Sequence, residues 1–394
     1  MVKYLRYTVM HVALVLTIIA IALGGVWIWV AGAILGGFLF IGDHIFGSYT
    51  KSPEYKHPVI LNAFLYIVLP LLAMASFTQA WMVGSGDLLG FGAAVQAVTG
   101  FDLFQARETV TPLTILGYVI VLGVLVAAAG TNVGHELTHR TWSPSAMLTG
   151  RWLLAFSANP DFAIEHVYNH HAHVGTTADP ATARRNQTNV WLFFPQATIR
   201  EHKAAWKMEL ERLGKMNQSV LSYHNSMLRG YAMVLALALV FWASAGWTGV
   251  GVFLATAIVG KFTLEVTNFM EHFGLVRVPE EPVQPRHSWN TNRRVSSLVL
   301  YSLTRHSAHH EQGDIPFWEL APYPDAPDMP HGYAGTFLAA LCPPLWRRII
   351  TPRLLEWDEV QASPAERELA ARENAASRIP ALREAAQSRG ATPA

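Results

Sequence analysis

The chain carries 17 histidines, and most of them fall in a few short stretches. The first stretch is Gly134-His135-Glu136-Leu137-Thr138-His139. Histidines at i and i+4 share one helix face, so His135 and His139 can reach one metal ion. It is not the zinc-protease motif His-Glu-x-x-His, because its second histidine comes one position late. The second stretch is Glu165-His166-Val167-Tyr168-Asn169-His170-His171-Ala172-His173. Here His166 and His170 again stand at i and i+4, and His171 can turn to a neighbouring site. The third, Arg305-His306-Ser307-Ala308-His309-His310, has spacing i, i+3, i+4. Between them Asn268-Phe269-Met270-Glu271-His272 adds one more imidazole. Imidazole is the usual ligand of iron, zinc and copper. Nine clustered histidines are too many for one ion and suit two, with four or five nitrogens each. Glu136, Glu165, Asp179 and Glu271 lie close by in sequence. They suit the task of accepting the far N–H of a ligand ring and fixing its tautomer. Asn268, His173 and His287 are candidates for the same supporting role.

What must position these residues is a membrane bundle. A bilayer core of about 30 Å takes roughly 20 apolar residues as helix. Six runs qualify: about 8–30, 31–46, 58–82, 110–133, 228–247 and 248–270, with tight uncharged turns at Val30–Gly32 and Ala245–Gly249. The expected fold is all-α, a six-transmembrane helical bundle with a histidine-rich cytoplasmic cap. Lys3, Arg6, Lys51, Lys56 and the basic residues of 135–227 then fall on one side, which the positive-inside rule makes the cytoplasm. Both termini are expected there, in a multi-pass protein of the inner membrane. Residues 1–362 form the expected membrane domain, and 363–394 a polar, solvated tail. Residues 204–215 read as an exposed charged helix.

Composition agrees: 51% of residues are hydrophobic, 14% are charged, and the net charge is +1. That excludes a disordered chain and speaks against a soluble enzyme. It gives no reason to expect nucleic acid as a partner. The single cysteine, Cys342, excludes a disulfide within the chain and any Cys-ligated iron–sulfur or rubredoxin-type iron. No Gly-x-Gly-x-x-Gly dinucleotide fingerprint is present. Any electrons must therefore come from another protein. Arg184, Arg185, Arg200, Lys203, Lys207, Arg293 and Arg294 offer a basic face for an acidic carrier.

The three histidine boxes and the Asn-Phe-Met-Glu-His-Phe-Gly-Leu segment resemble the integral-membrane non-haem di-iron alkane monooxygenases, within the wider group that includes fatty-acid desaturases. The resemblance runs from about the fourth span to Trp357. It takes in Asp179-Pro180-Ala181-Thr182 and His287-Ser288-Trp289-Asn290. The segment from Pro352 to Leu369 is also similar to the xylene monooxygenase hydroxylase component. The resemblance implies two iron ions held by His135, His139, His166, His170, His171, His272, His306, His309 and His310. It implies O2 as co-substrate and terminal hydroxylation of an apolar small molecule lying in the lipid bilayer, with a medium-chain alkane favoured. It also implies a rubredoxin or ferredoxin-like carrier with its NAD(P)H reductase. An aryl-methyl hydroxylase and a desaturase-like enzyme are the alternatives. A metal transporter would place its ionisable ligands near mid-membrane rather than at one end of the spans. The family often has Tyr where this chain has Phe269 and Phe273, so any hydrogen bond from those phenols is missing here.

Overall fold

The computed structural model describes residues 2–388 and 390; Met1, Arg389 and the last four residues of the expected tail lie outside it. Among the described residues every extended element is a helix, and only isolated bridges such as Ser48 with Arg293 occur. Five helices are long and apolar enough to cross a bilayer: α1 (Lys3–Leu23), α2 (Trp27–Ile45), α3 (Pro58–Val83), α4 (Pro112–Thr138) and the 47-residue Ser226–His272. The last is not one rod. Ala245 and Gly246 leave helical geometry, with φ +57° at Gly246, and the chain doubles back there. The ring of Phe241 on one arm packs tilted against that of Phe253 on the other, centroids 5.3 Å apart, so the two arms run side by side. Gly249 permits the turn: a Cβ there would sit 2.2 Å from the Phe241 carbonyl oxygen.

The turn between the first two spans differs from the expected one. It lies at Gly24–Gly25, not at Val30–Gly32, and α2 starts at Trp27. Both glycines have positive φ, at 69° and 49°. A side chain at Gly24 would run into the Ala106 carbonyl oxygen at 2.6 Å. An apolar run without a charge carries no boundary signal, and the backbone requirement of two adjacent glycines decides it.

α4 is built in three parts. Thr111 and Thr114 form a capping box ahead of Pro112, and regular helix follows to Leu125. Residues Val126–Thr131 then form a π-helical turn, and regular helix resumes at Asn132–Thr138. α4 lies tight against the second arm of the hairpin: a Cβ at Gly123 would be 2.6 Å from Val259, and one at Gly260 would be 2.8 Å from Val126. Small residues at such crossings let membrane helices approach closely. Away from these contacts the spans present exposed Ile34, Ile41, Leu235, Leu239 and Ile258.

The polar segments fold onto the ends of α4 and the hairpin. α5 (Pro144–Ala155) packs on α4. Residues 162–173 continue from helix through a second π-helical turn, His166–His170, into His171–His173. α6 (Val190–Lys215) is longer than the charged helix expected from residue 204, and it buries Glu201 and Glu209. α7 (His306–Glu311) carries the third histidine box. The stretch after Ser363 is not a solvated end. Glu366 is fully buried, with its carboxylate accepting from Arg286 and bonded to His287 at 2.6 Å, and Ala370 and Leu382 are fully buried too.

Candidate metal centre

The nine clustered histidines converge in two groups. In each, one ring nitrogen per residue lies within 4.8 Å of all the others. His135, His139, His166, His171 and His309 form one group; His170, His272, His306 and His310 form the other. Nε2 of His135 stands 2.8 Å from that of His309, and His166 is 3.1 Å from His171. In the second group His306 is 3.0 Å from both His272 and His310, and His310 is 3.2 Å from His170. Two nitrogens bound at right angles to one ion, each at 2.0–2.1 Å, would be about 3 Å apart. The spacing is that of neighbouring ligands of a single ion, and the residues present fit a metal in each group. His139 Nε2 is buried and has no hydrogen-bond partner among the described residues, as a nitrogen aimed at an ion would.

Backbone geometry decides the partition. The i, i+4 pairing expected for His166 and His170 does not occur. The π-helical turn places i and i+5 together, so His166 pairs with His171 while His170 swings to the other group. The regular helix of the first box keeps His135 and His139 together. In α7, His306 and His310 at i, i+4 join one group, and His309 joins the other.

Burial keeps these rings neutral. Loss of water, and then the neighbouring imidazoles, hold His166, His171, His309 and His310 well below the usual histidine range. Burial pushes His306 down to about 3. Neutral imidazole offers the lone pair that a metal needs.

Of the carboxylates, Asp179 and Glu271 touch the histidine groups. Asp179 Oδ2 is 2.9 Å from His170 Nδ1 and also accepts from the Thr182 hydroxyl at 2.6 Å. That fixes which nitrogen of His170 carries its hydrogen. Glu271 Oε2 lies 3.2 Å from His306 Nε2, and its other oxygen accepts from the Tyr333 hydroxyl at 3.1 Å. Sequence reasoning missed Tyr333, since nothing in its neighbourhood marks it. Glu136 is paired with Arg140 at 2.7 Å, and Glu165 accepts from Asn169 at 2.8 Å. Asn268 donates to Glu265 at 3.3 Å. His173 bonds the Asn169 carbonyl and His287 bonds Glu366, outside both groups. Phe269 and Phe273 are fully buried and pack on each other and on Trp346.

An apolar cavity of about 630 Å³ leads to these groups from among the spans. Its polar end includes His135, His166, Asn268, Glu271 and His306; further along, Ala128, Val121, Trp29 and Leu39 line it.

Residues 111–337 match the fatty acid desaturase family. Alkane 1-monooxygenase 1 of Pseudomonas aeruginosa is 34% identical over 79% of both chains. The chain belongs to the fatty acid desaturase family, among its alkane monooxygenases. The xylene/toluene monooxygenase hydroxylase component of Pseudomonas putida is 32% identical over 93% of both chains. Alkane 1-monooxygenase 2 of Alcanivorax borkumensis is 31% identical over 83% of both. This monooxygenase thus pairs a buried, neutral, all-imidazole donor set, suited to a non-haem metal, with an apolar approach. Its expected basic face is smaller than the sequence suggested. Arg185 is fully buried, with its guanidinium forked onto Asp358 at 2.6 and 2.8 Å, and Arg184 is paired with Glu373. Arg200, Lys203, Lys207 and Arg294 remain exposed.

Proposed function

We propose that this enzyme hydroxylates a terminal methyl group of an apolar substrate, with a medium-chain alkane favoured: RCH3 + O2 + two electrons + two protons give RCH2OH + water. The observation that carries this reading is the continuity of an apolar cavity with two converging groups of neutral imidazoles. Iron held by His135, His139, His166, His171 and His309, and by His170, His272, His306 and His310, would supply the oxidising chemistry that a strong C–H bond demands. The chain's own residues do the rest. The cavity walls take the substrate from the bilayer and align it, so that one terminal methyl lies at the end lined by His135, His166 and His306. Asp179 holds the His170 ring in place through its far nitrogen, and Glu271, braced by Tyr333, stands on the side of His306 that faces its partner ligands, beside the place an ion would take. Burial of the histidines excludes bulk water from the reacting atoms.

Counting the two arms of the hairpin separately supports six spans, and the exposed Arg200, Lys203, Lys207 and Arg294 agree with a cytoplasmic cap at the inner membrane. With one cysteine the chain cannot hold an iron–sulfur or rubredoxin iron of its own, so a separate rubredoxin or ferredoxin-like carrier and its NAD(P)H reductase supply the electrons. A second reading, aryl-methyl hydroxylation, is favoured by the xylene/toluene relative matching over 93% of both chains. Competition between octane and p-xylene, with products separated by gas chromatography, decides. Predominant 1-octanol supports the first reading. Predominant 4-methylbenzyl alcohol establishes the second. A double bond in the product overturns both.

A further inference from the structure

Beside the cavity lies a second buried polar system that the histidine groups do not use. Lys261, on the second arm of the hairpin, is 2.7 Å from Glu201 of α6 and 2.7 Å from Glu265 one turn along its own helix. Glu265 Oε2 accepts from Asn268 at 3.3 Å, and Asn268 opens onto the cavity beside Glu271. Residues 261, 265, 268 and 272 follow one helix face, so the row ends at His272. At the other end His202, next to Glu201 on α6, reaches the surface. Its Nδ1 is 3.4 Å from Asp161, and its Nε2 is bonded to the Tyr231 hydroxyl at 2.7 Å. The hydrogen bond to Asp161 holds His202 above the usual histidine range.

Two carboxyl groups, Glu201 and Glu265, therefore share one ammonium, all three buried, while Asp161 is matched by His202. Fully ionised, the set would carry one uncompensated negative charge away from water, which is strongly unfavourable. Glu201 Oε1 is buried with no hydrogen-bond partner among the described residues. A structural ion pair needs one acid and one base; this set has acids in excess. Holding a proton is the least costly way to balance it.

We infer that the row Glu201, Lys261 and Glu265, with Asn268 orienting its inner end, delivers protons from the cytoplasmic surface at His202 to the oxygen chemistry at the end of the cavity. The inference rests on the monooxygenase reading, whose balance consumes two protons per turnover. Asn268 donates to the Glu265 carboxyl and orients it, and the Glu265 proton passes by way of water in the cavity to the oxygen atom that leaves as water. Lys261 passes a proton on to the Glu265 carboxylate and regains one from Glu201, which is refilled from the surface. The electrons come from the carrier, so the row itself is neither oxidised nor reduced.

The test uses Glu265→Gln and Glu201→Gln, which keep shape and lose the ionisable group, in the full-length protein in membranes. Both should retain wild-type iron content. Turnover should fall about 100-fold, product per reducing equivalent should fall, and hydrogen peroxide should rise. The difference between metal-free wild type and metal-free Glu265→Gln should show a protonated-carboxyl stretch in the infrared that shifts in D2O. Unchanged turnover and coupling in a variant that keeps its iron overturns the relay. If Glu265→Gln fails to insert, Glu201→Gln, on a different helix, decides. Absence of that band from the difference overturns the proposal. A wild type that makes no hydroxylated product while showing the band refutes the monooxygenase reading instead.

Discussion

Replacing Ala128 with Leu should shorten the range of substrates. Ala128, Val121 and His135 all line the apolar cavity, and they follow one another at seven-residue intervals along α4. At 1.5 Å per residue, Ala128 lies about 10 Å from His135, and Val121 lies about as far again. Val121 marks a narrow point: a Cβ on Gly32 would come within 2.8 Å of it. A linear molecule with its methyl at the histidine end must pass Ala128 to fill the far half. Leu adds three carbons there and displaces about three methylenes of a long substrate. At ~0.8 kcal/mol each, that is ~2.4 kcal/mol, or about 50-fold in relative kcat/KM. A molecule short enough to end before Ala128 should lose little. The assay is an equimolar hexane and decane mixture given to membranes containing either protein, with 1-hexanol and 1-decanol read by gas chromatography. A decanol-to-hexanol ratio within twofold of wild type, at equal iron content, would refute the placement of the substrate in this cavity.

Changing His309 to Ala should lower bound iron and abolish hydroxylation while the chain still inserts, because His309 is 2.8 Å from His135 and converges with four other rings; full activity, or stoichiometric zinc in wild type, would contradict the di-iron reading. Turnover should require an added carrier. With Arg200, Lys203, Lys207 and Arg294 exposed, it should slow at limiting carrier as the screening length shrinks from ~10 Å at 0.1 M salt to ~3 Å at 1 M, and salt-independent rates would argue against docking by charge. The metal-free protein should melt at progressively lower temperature as pH falls from about 6.5. His306 titrates at about 3 when folded, so between these values the unfolded chain binds the extra proton and stability rises with pH. A flat profile over that window in a thermal melt would refute the burial argument.

The histidines were legible in the sequence because polar, metal-binding side chains repeated at helical spacing at the ends of apolar runs are costly to bury unless they hold a metal. Their partition was not legible. Whether His166 pairs with His170 or His171 depends on a π-helical turn, which is a choice of backbone hydrogen bonds made by the surrounding packing rather than by local propensity. Likewise Ser363 to Glu366 can be read as a helix start, with Glu366 capping Ser363. Its second engagement with His287, 79 positions earlier, cannot be read from the sequence. Lys261 and Glu265 show the same limit. Within an apolar run they are two charges four apart, and only the return of Glu201 from α6 accounts for the burial of both.

α7 contributes to both histidine groups from little more than one turn: His306 and His310 to one, His309 to the other. A single rigid peg therefore gauges the distance between the two centres. Its base is anchored by Arg305, whose guanidinium donates to the Leu320, Tyr49 and Lys51 carbonyls, and by Ser307, bonded to the Ser288 carbonyl. A span that tilts in a bilayer of different thickness leaves the spacing among His306, His309 and His310 unchanged, because one short helix carries all three.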